Sequence, residues 1–298
     1  MEFIVIQQPI AEIIQKGRCK QFTTQRSNNT YNITIEEDVV RKITISSNCS
    51  PTYEEKLKVF YDLESLLMLF EGQFHPVMHV YENGTEITHS WKSRALPSYE
   101  SADFMKGENN VLLDFCQVLN GPILTKWKKL QVRLDLIHKM NLYCVSSVPM
   151  PVDIKCAFMI ESFLGVAELL KERQRINLLP VSNDQSKLKH YLQATINTWG
   201  SDIFKQEVAS CETFTQILVN SRNRIAHIKN RHKKVVLDGK ESVMYLMKLS
   251  LLYRKILFEL LGVASQTYSS NLTKQVSLID NHDATKNFLK KLNPKQTN

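Results

Sequence analysis

From about residue 109 onward, apolar side chains recur every three to four positions in six successive stretches: 109–119, 122–142, 152–176, 185–199, 204–228 and 240–261. An α-helix turns about 100° per residue, so this spacing gathers them on one face and predicts helices packed on helices. The last stretch runs into Gly262, a residue that readily takes the left-handed turn closing a helix. Before residue 109 the period is mostly two. TYNITIEE sets Tyr31, Ile33 and Ile35 against polar neighbours, and RKITIS does the same with Ile43 and Ile45, which predicts strands. EEKLKVFYDLESLLMLFEG carries Leu57, Phe60, Leu63, Leu67 and Phe70 and predicts one amphipathic helix closed by Gly72. FHPVMHVYENGTEITHSW reads as two strands joined at Asn83-Gly84, a dipeptide suited to the positive dihedrals of a hairpin turn. The expected class is α+β and mainly helical. A small sheet-and-helix domain is expected over 1–107, a helical bundle over 108–263, and a polar, mobile tail with a short helix near its end over 264–298.

A chain of 298 residues with 43% apolar content can bury a sizeable core. No stretch approaches the roughly 18 apolar residues of a membrane span, and MEFIVIQQPI lacks the basic start and small-residue cleavage site of a signal peptide. A cytoplasmic protein without a membrane partner is therefore expected. Cys19, Cys49, Cys116, Cys144, Cys156 and Cys211 include no C-x-x-C pair, which points to reduced core thiols rather than a disulfide framework or zinc ribbon. The net charge of +8 suits a polyanionic partner, although part of the excess sits in Lys286, Lys290, Lys291 and Lys295. Neither a G-x(4)-G-K-[ST] nor a G-x-G-x-x-G loop is present, so no nucleotide cofactor is expected. His75 and His79, with His89 placed on the neighbouring strand, have a spacing open to a metal. They lack a nearby acid or cysteine at suitable spacing and read as ordinary strand histidines. Trp91, Trp127 and Trp199 are spread over different elements, which suits core packing better than a base-stacking platform.

Two helical stretches carry residues that packing alone does not explain. In VDIKCAFMIESFLGVAELLKERQ, apolar residues surround the axis and Glu161 falls among them, where an unpaired carboxylate is costly. In 204–228, Phe204, Val208, Cys211, Phe214, Leu218 and Ile225 make the stripe, and Arg222 occupies the position after Leu218. Asn223 and His227 stand four apart and share a helix face, so the amide is placed to orient the imidazole while Arg222 reaches in from one side. The same R-x(4)-H spacing occurs at Arg133 and His138, where the neighbour is Leu134 and nothing polar accompanies the arginine.

SRNRIAH, the upstream helix FMIESFLGVAELL and the closing helix after Asp238-Gly239 resemble the Apea-like branch of the HEPN superfamily (higher eukaryotes and prokaryotes nucleotide-binding). The resemblance covers roughly 109–262. EEKLKVFYDLESLLMLFEGQFHP looks like the latter part of the N-terminal domain that accompanies this HEPN in anti-phage proteins, in a shortened or divergent form. HEPN domains are helical bundles, and many are metal-independent ribonucleases. The resemblance implies Arg222 and His227 as a catalytic pair, Asn223 as the polar companion and Glu161 as the acid on the neighbouring helix. It also implies a homodimer with the two motifs facing each other, RNA as substrate, transfer RNA included, and a toxin-like role in bacterial defence. Some HEPN toxins carry tyrosine two residues after the histidine; Lys229 stands there, so chemistry requiring that tyrosine is not implied.

Metal-free RNA cleavage needs these residue types for reasons independent of family. The 2′-hydroxyl attacks the adjacent phosphorus, a group of near-neutral pKa moves protons, and a fixed cation stabilises charge growing on the phosphate oxygens. His227 fits the first need, and the planar fork of Arg222 the second. Lys229, Arg231, His232, Lys233 and Lys234 are placed to follow an RNA backbone. Plainer readings stand beside these: a structural Arg222–Glu161 ion pair, a His227 that only complements the helix dipole, and a solvated basic run. At the level of function, the alternatives are a non-catalytic HEPN module that dimerises or binds nucleic acid or protein, and a metal-dependent hydrolase using His75 and His79.

Overall fold

Alternation of polar and β-branched or aromatic residues builds an antiparallel sheet from six strands. These are β1 (Glu2–Gln7), β2 (Arg18–Arg26), β3 (Asn29–Glu37), β4 (Arg41–Ser47), β5 (Val77–Glu82) and β6 (Thr85–Glu86), in the order β2-β3-β4-β1-β5-β6. The register pairs Ile33 with Ile45, Ile35 with Ile43 and Val5 with Ile43, so the middle of one face is buried hydrocarbon. Helix α1 (Tyr53–Glu71) starts at a capping box of Thr52 and Glu55 and ends at Gly72 in the left-handed conformation (φ 76°). Its Val59, Phe60, Leu63, Leu66, Leu67 and Phe70 are buried, and the Trp91 ring lies 5.2 Å from both Phe3 and Phe60. The β5–β6 hairpin turns at Asn83 (φ 49°) and Gly84 (φ 82°), as the sequence predicts.

The computed structural model describes residues 1–8, 16–73, 75–94, 110–145, 150–178, 184–211, 213–226 and 234–292. The chain divides into two compact units, Met1–Val132 with Leu261–Asn271, and Arg133–Leu260 with Leu272–Asn298. The division falls within helix α4 (Gly121–Val145). Short helices α2 (Thr88–Arg94) and α3 (Phe115–Val118) lie in the first unit. His89 therefore belongs to a helix and not to a strand. The stretch expected as a helix over 109–119 shrinks to α3, because the Asp114 side chain accepts from Cys116 N–H at 2.9 Å and sets the start there.

The second unit is helical. Beyond its part of α4 it comprises α5 (Val152–Glu172), α6 (Asp184–Thr195) continuing into a π-turn (Ile196–Gly200), α7 (Lys205–Ser210), α8 (Phe214–Ala226), α9 (Lys240–Leu261), α10 (the part from Leu272 of Ser269–Asn281) and α11 (Asp283–Leu292). The single helix expected over 204–228 is broken. Cys211 is extended (φ −155°, ψ 108°), its thiol lies 3.2 Å from the Thr213 hydroxyl, and this local side-chain contact competes with helical hydrogen bonding. Val208 and Ile225, expected on the buried stripe, are exposed in consequence, while Phe204, Phe214 and Leu218 are buried.

Residues 264–298 hold more helix than the single short one expected near their end, since most of them form α10 and α11. Leu272, Val276, Ile279 and Phe288 are buried, and the Phe288 ring sits 5.1 Å from Tyr245. Buried Lys248 of α9 holds Glu207 and Asp280 at 2.5 Å each, and Lys291 reaches Glu241 at 2.5 Å. A narrow apolar stripe within a polar composition is enough to dock these helices once such ion pairs satisfy their charges. All six cysteines are free; Cys144 and Cys156 are buried as expected, whereas Cys19 and Cys49 are exposed. The three tryptophans are buried. Among the described residues, no helix is long and apolar enough to cross a membrane.

Candidate active site

The last turns of α8 set the site. Phe214, Ile217, Leu218 and Ser221 form its buried face, and Ser221 donates its hydroxyl to the Ile217 carbonyl at 2.8 Å. Arg222, the next residue, emerges at the rim of that face. On α5, Ile160, Ser162 and Phe163 are buried and Glu161 between them reaches the same rim. The two charges meet: Arg222 Nε donates to Glu161 Oε2 at 2.7 Å, with 28% and 30% of the side chains exposed. The inward carboxylate that needed a partner thus has one.

Arg222 NH1 also donates to Asn223 Oδ1 at 3.0 Å. The Asn223 amide oxygen is thus turned to the guanidinium, and the imidazole that Asn223 is expected to orient belongs to His227, outside the described residues. Of the five N–H donors of an arginine, two are used; NH2 and the second NH1 hydrogen have no partner among the described residues. That remaining edge is the fork that grips two oxygens of a phosphate, and Glu161 and Asn223 limit how it can turn.

His227 follows Ala226, where the description of α8 ends, and lies outside the described residues, as do Lys229, Arg231, His232 and Lys233. Lys234 is described and exposed. The second R-x(4)-H pair resolves into ordinary roles. Arg133 is 64% exposed and 3.7 Å from Glu172. His138 is buried against Tyr253, Nδ1 to hydroxyl 2.9 Å, and burial pushes its pKa down to about 3. A neutral core histidine is the result.

His75 packs in the buried charge cluster of the first unit, where Arg41 bridges Glu37 and Glu71 and His75 Nε2 lies 3.1 Å from Glu71 Oε2. Burial pushes the Glu71 carboxyl up, but Arg41 and His75 outweigh it and hold the group below its ordinary range. His79 pairs with Glu86 at 2.9 Å. Among the described residues no three histidine, cysteine or carboxylate side chains are grouped to hold a metal.

Three residues near the site were not singled out by the sequence: Arg224, Asp153 and Asp238, joined by ion pairs of 3.1 Å. Asp238 was visible only as a helix opener. Arg224 is rotated about 200° from Arg222 on α8, so it has no place on the stripe that drew attention to Arg222.

The helical second unit thus presents an arginine braced by a carboxylate from a neighbouring helix and by its own polar neighbour. Residues 154–267 match the family model described as Apea-like HEPN. The match begins at residue 154, later than the 109 expected, and includes Glu161, Arg222, Asn223 and His227. No curated protein and no solved structure matches the chain. The general role that accompanies a HEPN domain is nuclease- or RNA-related, including that of an anti-phage effector.

Proposed function

We propose that the chain is a metal-independent endoribonuclease, acting as a toxin-like effector in bacterial defence against phage. It works as a homodimer with the two motifs facing each other. The observation that carries this reading is the braced guanidinium of Arg222, held by Glu161 at 2.7 Å and Asn223 at 3.0 Å with its NH2 edge left over among the described residues, inside the segment matched to the Apea-like HEPN model.

The proposed reaction begins when a ribose 2′-hydroxyl loses its proton and its oxygen attacks the adjacent phosphorus. A P–O bond forms as the bond to the 5′-oxygen breaks, leaving a 2′,3′-cyclic phosphate and a 5′-hydroxyl. Arg222 stabilises the negative charge that grows on the non-bridging oxygens. His227 moves the protons, because an imidazole near pKa 6.5 can both accept and return one near neutrality. Glu161 keeps the guanidinium from swinging away, and Asn223 takes one of its N–H groups. Lys229, Arg231, His232, Lys233 and Lys234 contribute a phosphate-binding run whose effect weakens with salt.

The test offers the purified chain an RNA oligonucleotide and the same sequence with 2′-deoxyribose throughout. Cutting of the first alone, with cyclic phosphate ends, is the expected outcome. Cutting of both, or 5′-phosphate products, contradicts the mechanism. Tight RNA binding with no cutting selects the non-catalytic binding module.

A further inference from the structure

Arg224, two positions beyond Arg222, has surroundings of another kind. Its NH2 lies 3.1 Å from Asp153 Oδ2 and its NH1 3.1 Å from Asp238 Oδ1, so one guanidinium spans the first turn of α5 and the approach to α9. Asp153 Oδ1 in turn accepts from Gly239 N–H at 3.0 Å and from the Ser242 hydroxyl at 2.5 Å. Nearby, buried Ser221 accepts from Leu237 N–H at 2.8 Å. The start of α5, the end of α8 and the start of α9 are thereby tied at one place.

Two carboxylates on a single arginine leave little positive charge for a phosphate. Its value lies in geometry. The Arg222–Glu161 bond alone is a pivot about which the end of α8 can turn. Arg224 projects about 200° away around the same helix and is anchored near the start of α5, eight residues before Glu161. Two anchors on different sides of α8 oppose rotation that one permits.

We propose that Asp153 and Arg224 form a clasp that positions Arg222, so that its fork is held where a phosphate is to sit. The catalytic consequence rests on the ribonuclease reading above; the mechanical one does not. The clasp residues touch no substrate, and their effect passes through Arg222.

The experiment uses the full chain labelled with 15N-arginine, in which the Arg222 Nε–H signal is identified by its loss in Arg222→Lys. In Arg224→Gln and Asp153→Asn this signal should exchange with solvent faster, on the order of tenfold, as its bond to Glu161 loosens. RNA cleavage per folded molecule should lose kcat roughly 10- to 100-fold with KM little changed, and Arg224→Lys should recover part of the loss. If one neutral variant fails to fold, the other carries the same readouts. Unchanged Arg222 exchange overturns the clasp whatever the activity does. A raised KM with unchanged kcat and a shallower salt dependence also overturns it, because Arg224 would then contact RNA directly. Faster exchange in a chain whose wild type cuts no RNA upholds the clasp and removes the ribonuclease reading.

Discussion

Arg222 and Arg224 are chemically identical, and what separates them is the number of carboxylates within reach. One is braced with donors to spare and the other is neutralised. An ion pair as exposed as Arg222–Glu161 contributes about 0–1 kcal/mol to stability. Glu161→Gln should therefore shift urea-unfolding stability by less than about 1 kcal/mol, while kcat for RNA cleavage falls on the order of 10- to 100-fold. A loss of several kcal/mol with activity falling only in proportion to folded protein would mark the pair as structural. His138 gives a pH prediction at the same scale. Its folded pKa, about 3, lies below the ordinary 6.5, so only the unfolded chain takes up this proton between those values. Stability from His138 is complete above pH 6.5 and is lost as pH falls toward 3. Between pH 6.5 and pH 5 the loss amounts to about 2 kcal/mol. Glu64, whose carboxyl is pushed up to about 8 by desolvation, titrates in the opposite sense. The comparison is therefore with His138→Gln, whose stability should fall less than that of the wild type over this window; parallel curves would contradict it.

At the scale of elements, close helix packing makes its own prediction. A Cβ on Gly165 of α5 would stand 1.9 Å from Ile137 Cδ1 and 2.9 Å from its Cγ1. Gly165→Ala should cost about 1–3 kcal/mol despite the better helix propensity of alanine. Gly165→Ala with Ile137→Ala should relieve the clash, and equal destabilisation by single and double variants would contradict this packing. Element types were readable where the period was long and unbroken, as in α1, α5 and α9, and in the strands around Ile33 and Ile43. The break at Cys211 was not, because a two-residue side-chain contact leaves the apolar spacing of 204–228 intact. Helix α10 was hidden by composition: Leu272, Val276 and Ile279 form a stripe among serines, asparagines and lysines. The Glu161–Arg222 meeting could be expected, since each interrupted an apolar face and needed an opposite charge. The Asp153–Arg224–Asp238 clasp could not, since all three carry charges that read as solvated.

For the whole molecule, an antiparallel sheet with helix α1 comes first in the chain and helices follow it, and residues 154–267 match the Apea-like HEPN family model. Charge is distributed in line with the proposed role: of the acids near the end of α8, Asp153 and Asp238 pair with Arg224 and Glu161 with Arg222. Among the described residues, Arg222 keeps its NH2 edge without a partner. The measurement that bears most directly on this account incubates cellular RNA in excess chelator with the wild type, Arg222→Ala and His227→Ala. Wild-type cutting that persists without metal, and that both substitutions abolish in folded protein, is the predicted result. Cutting that stops on chelation, or that continues equally in all three proteins, would contradict it.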